Sequence, residues 1–245
     1  MEIKKVLISQ PSPSGASPYN ELVSKYGLDI DFKPFFKTEG VSLKDFISQK
    51  VDILEYTAVV FTSRTAIDSF FSICEQSRIL VPETMKYFCQ SEAIAAYLQK
   101  YIVYRKRKIF FGNGTADSIL DAIGTKHKAE HMLIACTDCL KPDMKKLFTA
   151  AKLKYGSAVF VRTVSNEMKD LDLGSYDVIA FYSPSDVKSL QENFPEYSQG
   201  STRFIAFGKN TAKSMADASL DVTIQAPSPE VPSVAEALFK LIESK

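Results

Sequence analysis

The segment "VVFTSRTAIDSFF" at Val59 has a second copy in "VIAFYSPSDVKSL" at Val178, and this internal repeat constrains the fold more than any other feature of the chain. Phe61-Thr62-Ser63 aligns with Phe181-Tyr182-Ser183 at an offset of 120, Phe88 with Phe207 and Ala93 with Ala212 at 119, and Leu120 with Leu238 at 118. The starts match as well: "KVLISQPSPS" resembles "HMLIACTDCL", with Leu7 against Leu133 at an offset of 126. Chance pairing of short apolar runs does not keep several matches in one order, and a slow drift in offset is what loop insertions produce. The chain therefore holds two copies of one structural unit.

Each copy alternates short apolar runs with helical patterns. "VLIS" (6–9), "AVVFT" (58–62), "KYFCQ", "KIFFG", "MLIAC", "DVIAFYS", "RFIAFG" and "VTIQAP" read as buried strands. Amphipathic segments follow them; "SPYNELVSKYG" closes on Gly27 as a C-cap, and "SRTAIDSFFSICE" opens on Ser63 as an N-cap. Such alternation predicts parallel sheets covered by helices, with ligands bound at the carboxyl ends of the strands. "DIDFKPFF" (29–36) is extended, and Pro34 marks it as an edge or connector.

Composition bounds the partners. The 245 residues are 45% hydrophobic and 24% charged, enough for a real core. Lys and Arg number 30 against 29 Asp and Glu, without the basic excess of a nucleic-acid binder. No apolar run approaches the roughly 20 residues of a membrane span. The apolar run at the N-terminus is too short for a signal peptide, and with four Cys the expectation is a cytoplasmic protein with reduced thiols.

At each strand-to-helix turn, short polar residues either cap the helix or bind an anion with its free N–H groups. Capping is the ordinary role of any one such turn; several facing one cleft would suit carboxylates or phosphates. "FGNGTA" (111–116) has neither P-loop nor Rossmann spacing. "CTDC" (136–139) stands where a redox CxxC pair would, and with His127 and His131 it would make a zinc site only with the second ligand pair reaching across a strand; two small residues in a loop is the ordinary reading. "YRKRK" (104–108) is a solvated basic face or a device that steers an acidic substrate. There is no GxSxG elbow and no HExxH, so an enzyme built from these residues works by binding and orientation.

The ordered set "VLISQPSPSG", "VVFTSRTAIDSFF", "FCQSEAIAAYL", "FFGNGTADSILDAI", "VFVRT", "IAFYSPSDVKSL" and "IAFGKNTAKSMADASL" resembles the uroporphyrinogen-III synthases, collinearly over nearly the whole chain. The resemblance implies an α/β fold of two similar domains, each a parallel sheet flanked by helices, joined by a two-stranded linker. One domain takes 1–33 plus 166–245, the other 37–158, and the connecting strands are 29–36 and 159–165. It implies cyclisation of hydroxymethylbilane with loss of water and inversion of the last pyrrole ring, by a monomer without metal or organic cofactor. The substrate, a linear tetrapyrrole with eight carboxylates, would bind in the cleft between the domains. The turns offered to it carry Ser63, Arg64, Gln90, Ser91, Asn113, Gly114, Thr115, Ser183, Ser185, Lys209, Asn210 and Thr211. Thr211 and Tyr182 are the candidate catalytic hydroxyls, Thr211 serving as a cap, as a donor to a substrate carboxylate, or as both in alternation. The chain departs from the family pattern at Gln10, where an Arg is common, at Val161, where a Tyr is common, and at Cys89–Ala93, which lacks the Gly and Thr kept in Gly208–Ala212. The competing readings are a non-catalytic binding module for an anionic small molecule and a thiol redox protein using Cys136 and Cys139.

Overall fold

The computed structural model describes residues 3–138 and 142–243. Chain order gives β1 (Lys5–Ile8), α1 (Pro18–Tyr26), β2 (Asp29–Phe32), β3 (Phe36–Gly40), α2 (Leu43–Ser48), β4 (Ala58–Phe61), α3 (Arg64–Gln76), β5 (Lys86–Cys89), α4 (Glu92–Tyr97) and β6 (Ile109–Phe111). There follow α5 (Asp117–Ile123), β7 (His131–Thr137), α6 (Pro142–Ala150), β8 (Lys154–Ser165), β9 (Val178–Phe181), α7 (Pro184–Asn193), β10 (Arg203–Phe207), α8 (Lys209–Asp217), β11 (Val222–Ala226) and α9 (Val234–Glu243). The chain divides into two units, Met1–Lys37 with Val164–Lys245, and Thr38–Thr163.

The first unit holds a five-stranded sheet in the order β11-β10-β9-β1-β2, the second a six-stranded sheet in the order β3-β8-β7-β4-β5-β6. The repeat is visible in this order. Reading β11-β10-β9-β1-β2 against β6-β5-β4-β7-β8 superposes the sequence matches: Phe181 on Phe61, Phe207 on Phe88 and Leu7 on Leu133 each fall in equivalent strands. The second unit runs through its repeat in one pass, whereas the first takes two strands from the N-terminus and three from the C-terminal third. The copies are thus circular permutations of each other.

Within both repeats the pairings are parallel. Parallel strands covered on both faces read as continuous apolar runs, and their alternate residues serve two different cores. Val6, Ile8, Val178 and Ala180 pack with Leu22 of α1 and Leu238 of α9. Leu7, Ile179 and Phe181 pack on the other face with Val187 and Leu190 of α7 and Met215 of α8. In the second unit Val59, Phe61, Tyr87 and Leu133 meet Phe70 of α3, while Val60, Phe88 and Ile134 meet Ile119 of α5 and Phe148 of α6.

Local signals hold where they carry a mechanism. Ser17 accepts from the Tyr19 amide ahead of Pro18, and Gly27 ends α1 in the left-handed region at φ 66°. The extended stretch 29–36 is not one connecting strand. Asp29–Phe32 is the edge strand beside β1, the chain breaks around Pro34, and Phe36–Gly40 begins a separate strand beside β8. Proline has no N–H to continue a ladder, and the break is pinned by Asn166, whose amide donates to Phe35 O and whose Nδ2 donates to Pro34 O. The second expected connector, 159–165, is the far part of the longer β8. The unit boundaries, 37/38 and 163/164, fall inside β3 and β8.

Phe181 is fully buried, edge-on to Phe35 and Phe204 at centroid distances of 5.7 and 5.3 Å. Phe181→Ala is expected to destabilise the protein by about 3–5 kcal/mol, read as a fall in the urea midpoint.

Candidate active site

Parallel strands deliver their turns to one end of each sheet, and the chain changes direction between β4 and β7 in one unit and between β1 and β9 in the other. Ligands of such sheets sit at the carboxyl ends beside these points. In the second unit the turns after β4, β5 and β6 lie side by side. Ser63 caps α3, its Oγ accepting from the Ala66 amide at 3.1 Å. Arg64 opens that helix, exposed, with its guanidinium 5.4 Å from the centre of the Tyr97 ring. It makes no ion pair among the described residues.

The neighbouring turns are tied together. Gln90 Nε2 donates to Gly114 O at 2.6 Å, and the Gly114 amide donates back to Gln90 O at 2.8 Å. Asn113 Oδ1 accepts from the amide and the hydroxyl of Thr115 at 3.1 and 2.9 Å. Ser118 Oγ, buried beneath, accepts from the Asn113 amide at 2.9 Å. A Cβ on Gly112 would fall 2.1 Å from that oxygen, which reserves the position for glycine. Ser91 opens α4 with no cap bond from its hydroxyl. It joins Asn113, Phe111 and Ser118 in lining an open cavity of about 860 Å³, with Glu92 and Asp121 also on its wall. Those two carboxylates set this cavity against an anion, and no cation among the described residues lines it.

In the first unit the equivalent of the Ser63 turn is organised by a residue that the sequence reading passed over. Asp186 is fully buried, and its Oδ2 accepts from Ser9 Oγ at 2.9 Å, from the Tyr182 and Ser183 amides at 2.9 and 2.8 Å, and from Ser183 Oγ at 3.2 Å. Its Oδ1 is buried without a partner. Burial pushes this carboxyl above the usual aspartate range, against the pull of those hydrogen bonds. Asp186 thus takes the two amides that a bare turn would offer to a ligand. Above it, the Tyr182 hydroxyl meets that of Tyr19 at 2.7 Å, and the Tyr182 ring lies against Phe207. Burial raises both phenols. Ser185 is half-buried in the first turn of α7.

At the last turn, Gly208 adopts φ 90°, open only to glycine, and its amide is bound to Ala226 O. Lys209 and Asn210 open α8 exposed to solvent, and Lys209 has no ion pair among the described residues. Thr211 does not face outward with them. It is 1% exposed, and its hydroxyl donates to Phe207 O at 2.7 Å, so it neither caps α8 nor offers a donor to a ligand. The hydroxyl bonds back to the carbonyl four residues earlier, a pattern that sequence cannot separate from a cap.

The family model for uroporphyrinogen-III synthase HemD matches residues 17–236. The chain belongs to the uroporphyrinogen-III synthase family. Two solved structures of that name share its fold: the Helicobacter pylori protein, at 14% identity over 98% of this chain and 99% of that one with a TM-score of 0.52; and a mutant of the Thermus thermophilus protein, at 13% identity over 97% and 96% with a TM-score of 0.51. No curated protein sequence matches significantly.

Val161 is buried in β8, and beside it Arg162 is held by Glu39 at 2.9 Å and Asp45 at 3.5 Å. The Thr163 amide and hydroxyl donate to the Asp138 carboxylate. The redox and zinc readings lose their support. Burial pushes the Cys136 thiol up, the reverse of a reactive thiolate, and its Sγ is 3.3 Å from Ile134 O. Cys139 lies outside the described residues. His131 opens β7 with its ring on Glu55 O, five residues from Cys136 and so about 16 Å along the strand. Among the described residues no three His, Cys, Asp or Glu side chains could hold a metal ion. The basic run 104–108 precedes β6 and therefore stands at the opposite end of the sheet from these turns.

Asp186 was readable in principle, because Ser183 followed three residues later by an acid is capping-box spacing. Ser9 and Tyr19 carried no such signal; only the pairing of β1 with β9 brings them to the turn. A carboxyl held high in the folded state binds more protons there than in the unfolded chain, so its contribution to stability falls as pH rises above the ordinary aspartate range. Denaturant titrations across pH should show Asp186→Asn gaining on the wild type in that window. Thr211→Val is expected to cost about 0.5–1.5 kcal/mol of stability while the folded variant turns over normally, by thermal melts paired with activity per folded molecule.

Proposed function

We propose that this protein is a uroporphyrinogen-III synthase that cyclises hydroxymethylbilane with inversion of the last pyrrole ring and loss of water. The observation that carries the reading is the family match over 17–236, within which the repeated strand-to-helix turns are the chemical surface. The bilane closes spontaneously without inversion, so the enzyme's task is to fold the chain so that the already substituted ring carbon attacks. That is a problem of positioning and of stabilising transient charge.

The residues divide this work. Arg64 and Lys209 are exposed cations opening α3 and α8, and they take substrate carboxylates together with the free first-turn amides of those helices. Ser63, Ser91, Asn113, Gly114 and Thr115 shape the unit that carries Arg64, with Gln90 holding the Gly114 loop in place. In the other unit Ser183 and Ser185 frame the Tyr19–Tyr182 hydroxyl pair, and Asn210 accompanies Lys209. The Asp186 carboxylate already fills the Ser183 turn, so this turn receives an uncharged part of the substrate, and Tyr182 is the hydroxyl best placed to assist the departing water. The β3 and β8 strands, in which the unit boundaries fall, serve as the two-stranded linker of the family.

Purified protein should convert hydroxymethylbilane to the type III isomer, separated chromatographically from type I. A non-catalytic anion-binding module would leave only the spontaneous type I product. Exhaustive chelation should leave the rate unchanged, whereas a loss restored by zinc would refute cofactor independence. Arg64→Met should raise KM about tenfold or more with a smaller change in kcat, as expected when a hydrogen bond worth roughly 1.5–3 kcal/mol to a charged ligand is lost in ground and transition states alike.

A further inference from the structure

The amino ends of the second unit's strands form a face that the proposed catalysis does not use. Because β6-β5-β4-β7-β8 are parallel, the segments leading into them lie together at the end of the sheet opposite the substrate turns. Those lead-in segments, 50–57, 77–86, 102–108, 124–130 and 151–154, carry nine exposed Lys and Arg against three exposed acids, Asp52, Glu55 and Glu83. Arg105, Lys106 and Arg107 stand before the edge strand β6, and exposed lysine pairs lie at the entry to β7 and β8. The chain as a whole is nearly neutral, yet residues 38–163 hold 18 Lys and Arg against 13 Asp and Glu.

Three large aliphatic side chains project among these cations. Leu54, Leu80 and Val103 are 53%, 89% and 77% exposed, one in each of the segments before the adjacent strands β4, β5 and β6. Beside Val103 a cavity of about 200 Å³ is floored by Met85, Tyr87 and Ile102 and edged by Arg105 and Lys108. Aliphatic tips set in a field of positive charge do not suit a nucleic acid, which is gripped through phosphates and stacked aromatic rings. They suit a surface that is anionic at its face and apolar just beneath.

The geometry points to a peripheral docking face for an anionic lipid bilayer, with Leu54, Leu80 and Val103 entering the interface and the surrounding Lys and Arg on the headgroups. No helix among the described residues is long and apolar enough to cross a membrane, so the attachment is to the surface. Each cation close to such a surface strengthens binding about fivefold, and screening removes much of this at high salt. The substrate turns, at the other end of the same sheet, stay turned to solvent. The proposal is independent of the synthase reading.

The test is co-sedimentation of the full-length protein with phosphatidylcholine vesicles, either pure or containing about one-third phosphatidylglycerol. Binding to the anionic vesicles alone is expected, with release at about 0.5 M salt. The double variant Arg105→Glu/Arg107→Glu should lose about tenfold or more in bound fraction, and Leu80→Asp/Val103→Asp should lose a comparable amount. The charge-matched control Lys188→Glu/Lys213→Glu, in the other unit, should bind as the wild type does. Far-UV spectra and melts establish that each variant is folded, and if the apolar pair fails to fold the arginine pair decides. Absence of binding at low salt, equal binding to neutral vesicles, or equal loss in the control overturns the proposal. Binding of a soluble acidic peptide in the absence of vesicle binding overturns it and assigns the face to an acidic protein partner instead.

Discussion

The first unit exists because β1 pairs with β9. Val6, Leu7 and Ile8 align with Val178, Ile179 and Ala180, across more than two-thirds of the chain. The Asp177 carboxylate accepts from the Lys4 and Lys5 amides at one end, and the Ser9 amide donates to Ala180 O at the other. Without this contact β1 and β2 would be left as a two-stranded fragment, and the C-terminal three strands would bare one side of their ladder. Everything chemical in that unit follows from it, because the same register sets Ser9 against Asp186 and Tyr19 against Tyr182.

The duplication supplied two equivalent turns, and their chemistry has diverged. After β4 the helix opens on Arg64, and Ser63 caps it unaided; after β9 the helix opens on Pro184, and Asp186 closes the amides from within. A cation outside and a carboxyl inside are opposite answers to the same exposed helix terminus.

The second unit's sheet has two unlike ends for a related reason. Parallel pairing sends every lead-in segment one way and every turn the other, so residues scattered over a hundred positions are sorted into two surfaces. The run 104–108 illustrates the sorting. As sequence it reads first as a solvated face and second as a lure for acidic substrate, and the direction of β6 places it at the end of the sheet opposite the turns after β4, β5 and β6.

The repeat, the parallel α/β class and the turns after β4, β5, β6, β9 and β10 were legible in the sequence because they rest on local signals: apolar period, capping residues and glycines. Gly27 and Ser63 act as their chemistry requires. The single connector read across Asp29–Phe36 was wrong because an extended stretch does not reveal which sheet takes each half, and Pro34 marks a break without saying what lies on either side. Thr211 shows the same limit on a smaller scale, since a threonine at a helix start can turn its hydroxyl outward or back to Phe207 O, and only packing chooses. What the sequence alone determined was the set of elements and the polar residues at their junctions. The tertiary structure decided which strands neighbour one another, that Ser9 meets Asp186, and which end of a sheet each charge occupies, because those depend on long-range parallel pairing, which leaves no periodic trace in the chain.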